Sequence, residues 1–233
     1  MRRVYLLILT AAAVVLYFYR FRLPLLPDMF IVDFSAFPEL LITFAYGPLY
    51  GLAVCFLKTA VHSAVIQSSI LSDATGFVVE AMFILIAGSF YTKKIEEEAK
   101  QTADKLKRGY RIKTMLSGSL LGLPVALVMQ FLLTQFILYP ELGERYAEVY
   151  SSENILQKYV SALNAIGAHL PASLANLIPS ITKLWQGILL INLPVTLGKL
   201  LFIILITVLV YSLLLPILYV KIPKSDYPIN GMD

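Results

Sequence analysis

The sequence predicts an all-α, polytopic membrane protein of six transmembrane helices, with a short second helix and both termini in the cytoplasm. Three observations lead there. Of the 233 residues, 58% are hydrophobic and only 15% charged, with a mean hydropathy of +0.76, outside the range of soluble domains. The apolar residues gather in long runs. Nearly all the charge lies between those runs, with lysine and arginine concentrated where a cytoplasmic face needs them.

The same features exclude several classes. The chain after Phe21 is as hydrophobic as the chain before it and no clear A-x-A site follows Tyr17, so Met1 to Phe21 does not read as a cleaved signal peptide. Arg2 and Arg3 read instead as a cytoplasmic anchor. The net charge of +4 does not imply nucleic acid, because the basic residues flank membrane segments and form no stripe interleaved with aromatics. Trp185 and many of the 14 tyrosines suit interfacial belts. Cys55 is the sole cysteine, which rules out an intramolecular disulfide and leaves packing as its default role. There is no phosphate loop, His62 and His169 make no recognisable metal-ligand pair, and no serine occupies a Gly-x-Ser-x-Gly elbow. Neither a catalytic nor a metal residue is therefore assigned, any use of ATP requires another subunit, and a membrane-embedded enzyme is the rival class.

Taken in order, the first span covers about 4–21 and ends at the proline-rich stretch from Arg22 to Pro27. A loop with Asp28 and Asp33 follows, and Ser35 caps a helix starting around Pro38. Gly47-Pro48 interrupts the next apolar run, which is either one kinked helix or two spans. Charge decides. Eight basic residues (Lys93, Lys94, Lys100, Lys105, Lys107, Arg108, Arg111 and Lys113) crowd one segment. An even number of spans before it puts them in the cytoplasm with Arg2 and Arg3. The split reading gives spans at 37–46, 49–65 and 76–92. A fifth at 115–138 leads outside and a sixth at 188–219 returns to Lys221 and Lys224, within a single integral membrane domain of 1–233. Pro194 is early in that last run, so the helix proper begins there or a re-entrant or interfacial piece around Trp185 precedes it. The second span is too short for an ordinary crossing, and short or interrupted membrane segments point to a binding site.

Two connections are long. Lys93 to Lys113 reads as a helical extension with a solvated, mixed-charge face. The outer loop 139–183 has the length of a functional lid, and Glu153 to Val160 within it suits a short amphipathic surface helix.

Lys58 and Lys199 sit inside apolar runs, where an ammonium costs roughly 2.5–3.5 kcal/mol on insertion scales. Each either snorkels to the headgroups or faces a partner, cavity or ligand. His62 shares a helical face with Lys58. Glu80, Gln130, Gln135, Asn192 and Thr196 lie near the same end of their spans, as interhelical hydrogen-bond partners or as pocket lining. Glu80 is a natural partner for a lysine.

The stretch DFSAFPELLITFAYGPLYGLAVCFLK, from Asp33 to Lys58, resembles the substrate-binding S components of energy-coupling-factor (ECF) vitamin transporters, most of all the riboflavin-binding branch. Similar to the same family are the exit from Ala87 to Lys94 into a basic loop, the segment from Gln135 to Pro140, and the run from Leu193 to Lys199. The resemblance implies a subunit of the bacterial cell membrane that captures a vitamin, with riboflavin foremost and another vitamin as the alternative. It implies no cofactor of its own. Its partners would be membrane lipid, an ECF coupling membrane subunit and two ATPase subunits. It matches Lys199 to a lysine associated with ligand binding; together with the polar residues that converge on one end of the spans, this gives a candidate ligand set of Lys58, His62, Gln135, Tyr139, Asn192, Thr196 and Lys199. Thr196 and Gln135 stand where the riboflavin branch commonly has asparagines. The first span lacks an alanine-x-x-x-alanine pair, since Val15 follows Ala11 and Leu16 follows Ala12 at that spacing.

Overall fold

The computed structural model describes residues 2–23, 31–66, 70–101, 107–171 and 179–218. Pro24, Pro27, Asp28, Lys105, Tyr219, Lys221, Lys224, Met1 and the C-terminus lie outside the described residues. Helix α1 (Arg2–Phe18) ends before the proline-rich stretch. Phe21 and Arg22 form a two-residue strand, β1, rather than the last turn of that helix. It pairs antiparallel with β2 (Ile31–Val32), Phe21 opposite Val32.

Helices α2 (Ala36–Tyr46) and α3 (Pro48–Val65) are separated by Gly47 alone. Its φ of 108° lies in the region that side chains rarely adopt. Pro48 opens α3, where a missing amide hydrogen costs nothing. The break is thus where the sequence puts it. Helix α2 begins at Ala36, so Pro38 falls inside its first turn, and Ser35 makes no side-chain cap bond.

Eleven residues extend roughly 16 Å, about half the ~30 Å hydrocarbon core. Helix α2 is accordingly wrapped by its neighbours: every residue from Glu39 to Phe44 is buried. Leu40, Leu41 and Phe44 pack with Phe83 and Ala87 of α4 (Ile70–Gln101), Met115 of α5 (Arg108–Leu133), and Leu200 and Ile203 of α10 (Leu193–Leu218). On the other side, Ile42 meets Ala13 of α1 and Val54 of α3.

Absent side chains make this approach possible. A Cβ on Gly51 would overlap the Thr43 hydroxyl and come within 3.0 Å of Ile84 Cγ2; one on Gly88 would overlap the Thr43 methyl and reach 2.9 Å from Pro48 Cβ. Likewise Gly118 lets α5 lie against the Ala87 carbonyl of α4, 2.6 Å from where a Cβ would be. Small residues at helix contacts are how membrane helices gain van der Waals packing when apolar burial against lipid offers little.

Helix α4 continues beyond its apolar part as an extension, whose exposed Lys94 and Glu97 pair at 2.8 Å. Helix α5 runs without interruption through a π segment (Thr134–Leu138) into α6 (Tyr139–Arg145). The following stretch then folds into α7 (Ala147–Tyr150) and α8 (Ser152–Ala168). The expected surface helix is longer than Glu153 to Val160, because the Ser151 side chain accepts from the Asn154 amide (3.2 Å) and caps it. Ile155, Tyr159, Ala162 and Leu163 are its buried face, at the spacing of an amphipathic stripe. A short α9 (Leu184–Gly187) and a second π segment (Ile188–Asn192) lead into α10, so Pro194 lies in its first turn.

Among the described residues, four continuous helical stretches are long and apolar enough to cross a membrane: Pro48–Val65, Ile70–Gln101, Arg108–Arg145 and Leu184–Leu213. Arg3–Phe18 and Ala36–Tyr46 are shorter apolar helices. Large apolar side chains such as Leu7, Phe56, Leu121, Phe136, Leu205 and Leu213 point outward, as a lipid-facing surface requires.

The α2–α3–α4 contact yields a test. Gly51→Ala drives a methyl group into Thr43 and should lower stability by about 1–3 kcal/mol, the usual cost of overpacking. Thr43→Ala in the same chain should recover part of it. Thermal unfolding of the detergent-purified variants reads both; an unchanged midpoint for Gly51→Ala would refute the close approach.

Candidate functional site

Lys58 lies in the middle of α3 and is fully buried. Its ammonium donates to Ser35 Oγ (2.6 Å) and Glu80 Oε2 (2.6 Å) and stands 2.8 Å from Glu39 Oε1. Three partners match the three donors of a lysine. The Tyr17 ring covers the group at 4.6 Å, a cation–π contact. Snorkelling is therefore not how Lys58 meets the cost of its charge.

Lys199, one turn and a half into α10, reaches the same group of acids from the opposite side. Its Nζ is 2.9 Å from Glu80 Oε1 and 3.0 Å from Asp33 Oδ2. Asp33, in the connection between β2 and α2, accepts from the Ser35 amide (3.1 Å) and from the Ser35 hydroxyl. The polar links close on themselves: Lys58 to Ser35, Ser35 to Asp33, Asp33 to Lys199, Lys199 to Glu80, and Glu80 back to Lys58. Burial alone would lift the Asp33 carboxyl, but the Lys199 and Lys58 ammoniums and the Ser35 hydroxyl hold it well below the usual carboxylate range.

The two lysines differ in what remains. Lys58 has no exposure and its donors are spent, whereas the Lys199 side chain is 16% exposed and the described residues give it two partners. One ammonium hydrogen of Lys199 is available to something else.

His62 belongs to a second, adjoining cluster. Its Nδ1 is 2.6 Å from Asp73 Oδ2, which Ser63 also contacts (2.9 Å), while Arg20 and Tyr17 bond Asp73 Oδ1 at 2.8 and 3.2 Å. This cluster ties the end of α1 to the end of α3 and the start of α4.

Tyr139 and Asn192 form a third. Tyr159 of α8 bonds the Tyr139 hydroxyl and donates to Asn192 Oδ1 (2.5 Å), and the Asn192 amide reaches Tyr139 Oη at 3.4 Å. Gly187 leaves room for the Tyr159 ring, which a Cβ there would overlap. Gln135 is in the first π segment and Asn192 in the second. Such segments recur at functional sites because the extra residue re-aims side chains. Gln135 Oε1 is buried without a hydrogen-bond partner among the described residues. Gln130 donates to Thr134 (2.8 Å), one turn on in the same continuous helical stretch, rather than to a neighbouring helix. Thr196 is half-buried on the first turn of α10.

Sequence reasoning found the lysines and Glu80 but not Asp33, Ser35, Glu39, Tyr17 or Arg20 as their companions. Glu39 had a visible signal, an acid within an apolar helix. Glu39, Cys55 and Glu80 also bring ligand-type atoms within 4.8 Å of one another. The Lys58 ammonium already bridges the two carboxylates, so the donor set does not suit a metal cation.

Comparison with known proteins places this arrangement. A family model described as "ECF transporter, substrate-specific component" matches residues 4–211. The chain belongs to that family, whose members are multi-pass proteins of the cell membrane and transport components rather than enzymes. It is 28% identical over 135 residues to the riboflavin transporter RibU of Staphylococcus aureus (strain TCH60), covering 58% of this chain and 64% of that relative. It is 34% identical over 116 residues to the riboflavin transporter FmnP of Bacillus subtilis (strain 168), covering 48% and 60% respectively. The chain thus spans less than two thirds of the length of both curated relatives. A solved S component of a bacterial ECF transporter is 25% identical, with a TM-score of 0.48 over 77% of this chain and 98% of the other.

The ring carries a stability prediction. Lys58→Met leaves two buried carboxylates short of a counter-charge and should cost about 3–5 kcal/mol. Adding Glu80→Gln removes a matched negative charge, and the double variant should be the more stable of the two. Thermal unfolding without ligand measures this; equal midpoints for wild type and Lys58→Met would dismiss the ring as a structural element.

Proposed function

We propose that this member of the family is the substrate-capture subunit of an ATP-driven vitamin uptake transporter, and that its ligand is riboflavin. The observation that carries the reading is the family match over 4–211; the names of the two curated relatives supply the vitamin. The chain has no phosphate loop, so ATP hydrolysis belongs to partners, an ECF coupling membrane subunit and two ATPases.

In this reading the ligand site is built from Gln135, Tyr139, Asn192, Thr196 and Lys199, with Lys58 and His62 behind it. A flavin presents a flat apolar ring system and a hydroxylated chain, which suits a mostly apolar cavity with a few well-placed polar groups. The buried, unpartnered Gln135 oxygen is an acceptor waiting for a donor, and Lys199 retains an ammonium hydrogen. Lys58 and His62 act by fixing their neighbours, since both are already engaged by acids.

Six spans with both termini in the cytoplasm, in a single membrane domain, complete the proposal. The helices described here and the basic segment Lys93 to Lys113 support it.

Mass spectrometry of small molecules that copurify should find riboflavin, and titration should give saturable binding; no retained or titratable flavin would exclude that vitamin. Lys199→Met should weaken binding roughly ten- to hundredfold, the loss of one charged hydrogen bond of about 1.5–3 kcal/mol. Because Lys199 also neutralises Asp33 and Glu80, apo stability should fall with it. Thr196→Val avoids that complication and should weaken binding alone, by about 0.5–1.5 kcal/mol. Unchanged affinity in both variants would move the site elsewhere.

Topology is tested separately by cysteine labelling in a Cys55→Ser background. A cysteine at Gln101 should be shielded from an impermeant reagent in intact cells and one at Ser151 should react. The opposite pattern would overturn the six-span arrangement.

A further inference from the structure

The charges in the buried ring and its one pendant group do not balance. Within the ring, Lys58 and Lys199 face Asp33 and Glu80, two positive groups against two negative. Glu39 is the odd member. It is completely buried, its one charged neighbour of opposite sign among the described residues is Lys58, 2.8 Å from Oε1, and Oε2 has no hydrogen-bond partner among them. Its ligand-type oxygen also lies within 4.8 Å of one from Glu80. Two carboxylates that close, away from water, cannot both remain ionised without a full counter-charge each.

We propose that the Glu39–Glu80 pair is a proton-binding site, holding one proton on Glu39 in the ligand-free protein at neutral pH. Glu80 keeps its charge because both ammoniums touch it, at 2.6 and 2.9 Å, while Glu39 shares only one of them. Protonation turns an unsatisfied carboxylate into a neutral acid. It leaves the five acidic and basic groups electrically neutral as a set.

Every element packed against Glu39 agrees with this placement. From α3 it faces Lys58 and the Cys55 thiol, from α4 Glu80, and from the β2–α2 connection Asp33, while Lys199 of α10 is engaged by Glu80 and Asp33. Helix α1 contributes the uncharged Tyr17 over Lys58. Beyond Tyr17, Asp73 is already answered by Arg20 at 2.8 Å, with His62 and Ser63 beside it. Among the described residues, Lys58 is the one cation in contact with Glu39. The inference stands whether or not the captured vitamin is riboflavin.

Infrared spectroscopy of the purified, ligand-free protein tests it directly. A protonated carboxyl gives a C=O stretch above the amide band that shifts down slightly in heavy water. Wild type at pH 7 should show one such band, and Glu39→Gln should abolish it. Glu80→Gln should abolish it too, because removing the neighbouring charge lets Glu39 ionise against Lys58; this variant serves if Glu39→Gln does not fold. A wild-type spectrum without the band, or a band that persists in Glu39→Gln, overturns the proposal.

Discussion

The two ammonium groups withdrawn from water set the terms for the rest of the molecule. Lys58 on α3 and Lys199 on α10 are each too deep to be left alone, so other elements must bring them acids. Helix α4 delivers Glu80 between them, the β2–α2 connection delivers Asp33, and α2 delivers Glu39. Five parts of the chain are thereby fixed against one another at hydrogen-bond distances. Such a ring is poor evidence of stability as such, since buried ion pairs replaced by well-packed apolar groups are often no less stable. What it specifies is register. A slide of α10 against α4 by one turn, ~5.4 Å, would break two of its links at once.

The ring in turn depends on packing that has no charge at all. Glu39 reaches Lys58 only because α2 lies unusually close to α3 and α4, and that closeness rests on Gly51 and Gly88 flanking Thr43. Thr43 is one turn after Glu39 and donates its hydroxyl to the Glu39 carbonyl (2.8 Å). A threonine hydroxyl bonded within its own helix needs no partner outside, which suits it to a dry contact. Ser35 shows the converse. Its hydroxyl gives up the helix cap to link Asp33 with Lys58, so local capping chemistry yields to a buried charge.

Much of this was legible beforehand, for reasons that can be traced to particular residues. Gly47-Pro48 announces the α2–α3 break because a positive φ and an amide-free first turn are conformational demands that those residues alone meet cheaply. Lys58, Lys199 and Glu80 declare themselves by their cost in an apolar run. Helix α8 was half visible through its stripe from Ile155 to Leu163. The partners were harder. Asp33 sits outside any apolar run and reads as an ordinary loop acid, and Ser35 reads as a cap. Which end of α4 meets which end of α10 is a tertiary fact that no spacing encodes. The π segments were invisible for a related reason: Thr134–Leu138 and Ile188–Asn192 have no composition of their own, and the extra residue in each is a consequence of packing. Of the candidates, Lys58 and Lys199 therefore share one cluster, His62 joins Asp73 in a second, Tyr139 and Asn192 meet Tyr159 in a third, and Gln135 and Thr196 form bonds to none of them among the described residues.

That division bears on how a capture subunit of this build would work. A ligand accepting a hydrogen bond from Lys199 does not meet a bare ammonium; it meets one already shared between Asp33 and Glu80. If the ligand draws the ammonium toward itself, the links to those acids lengthen, and the net gain is the difference between two sets of bonds rather than the strength of one. Lys58 limits the damage, because it holds Glu80 by the other oxygen and reaches Asp33 through Ser35. Among the described residues Asp33 has one cation in direct contact, Lys199. The loosest joint in the ring is thus the one between α10 and the β2–α2 connection, where a polypeptide entry to a short, fully wrapped helix meets the exposed lysine. A motion begun by a ligand at Lys199, as proposed above, would reach α2 through that connection, through Glu80 and Lys58, and through the direct packing of α10 on α2.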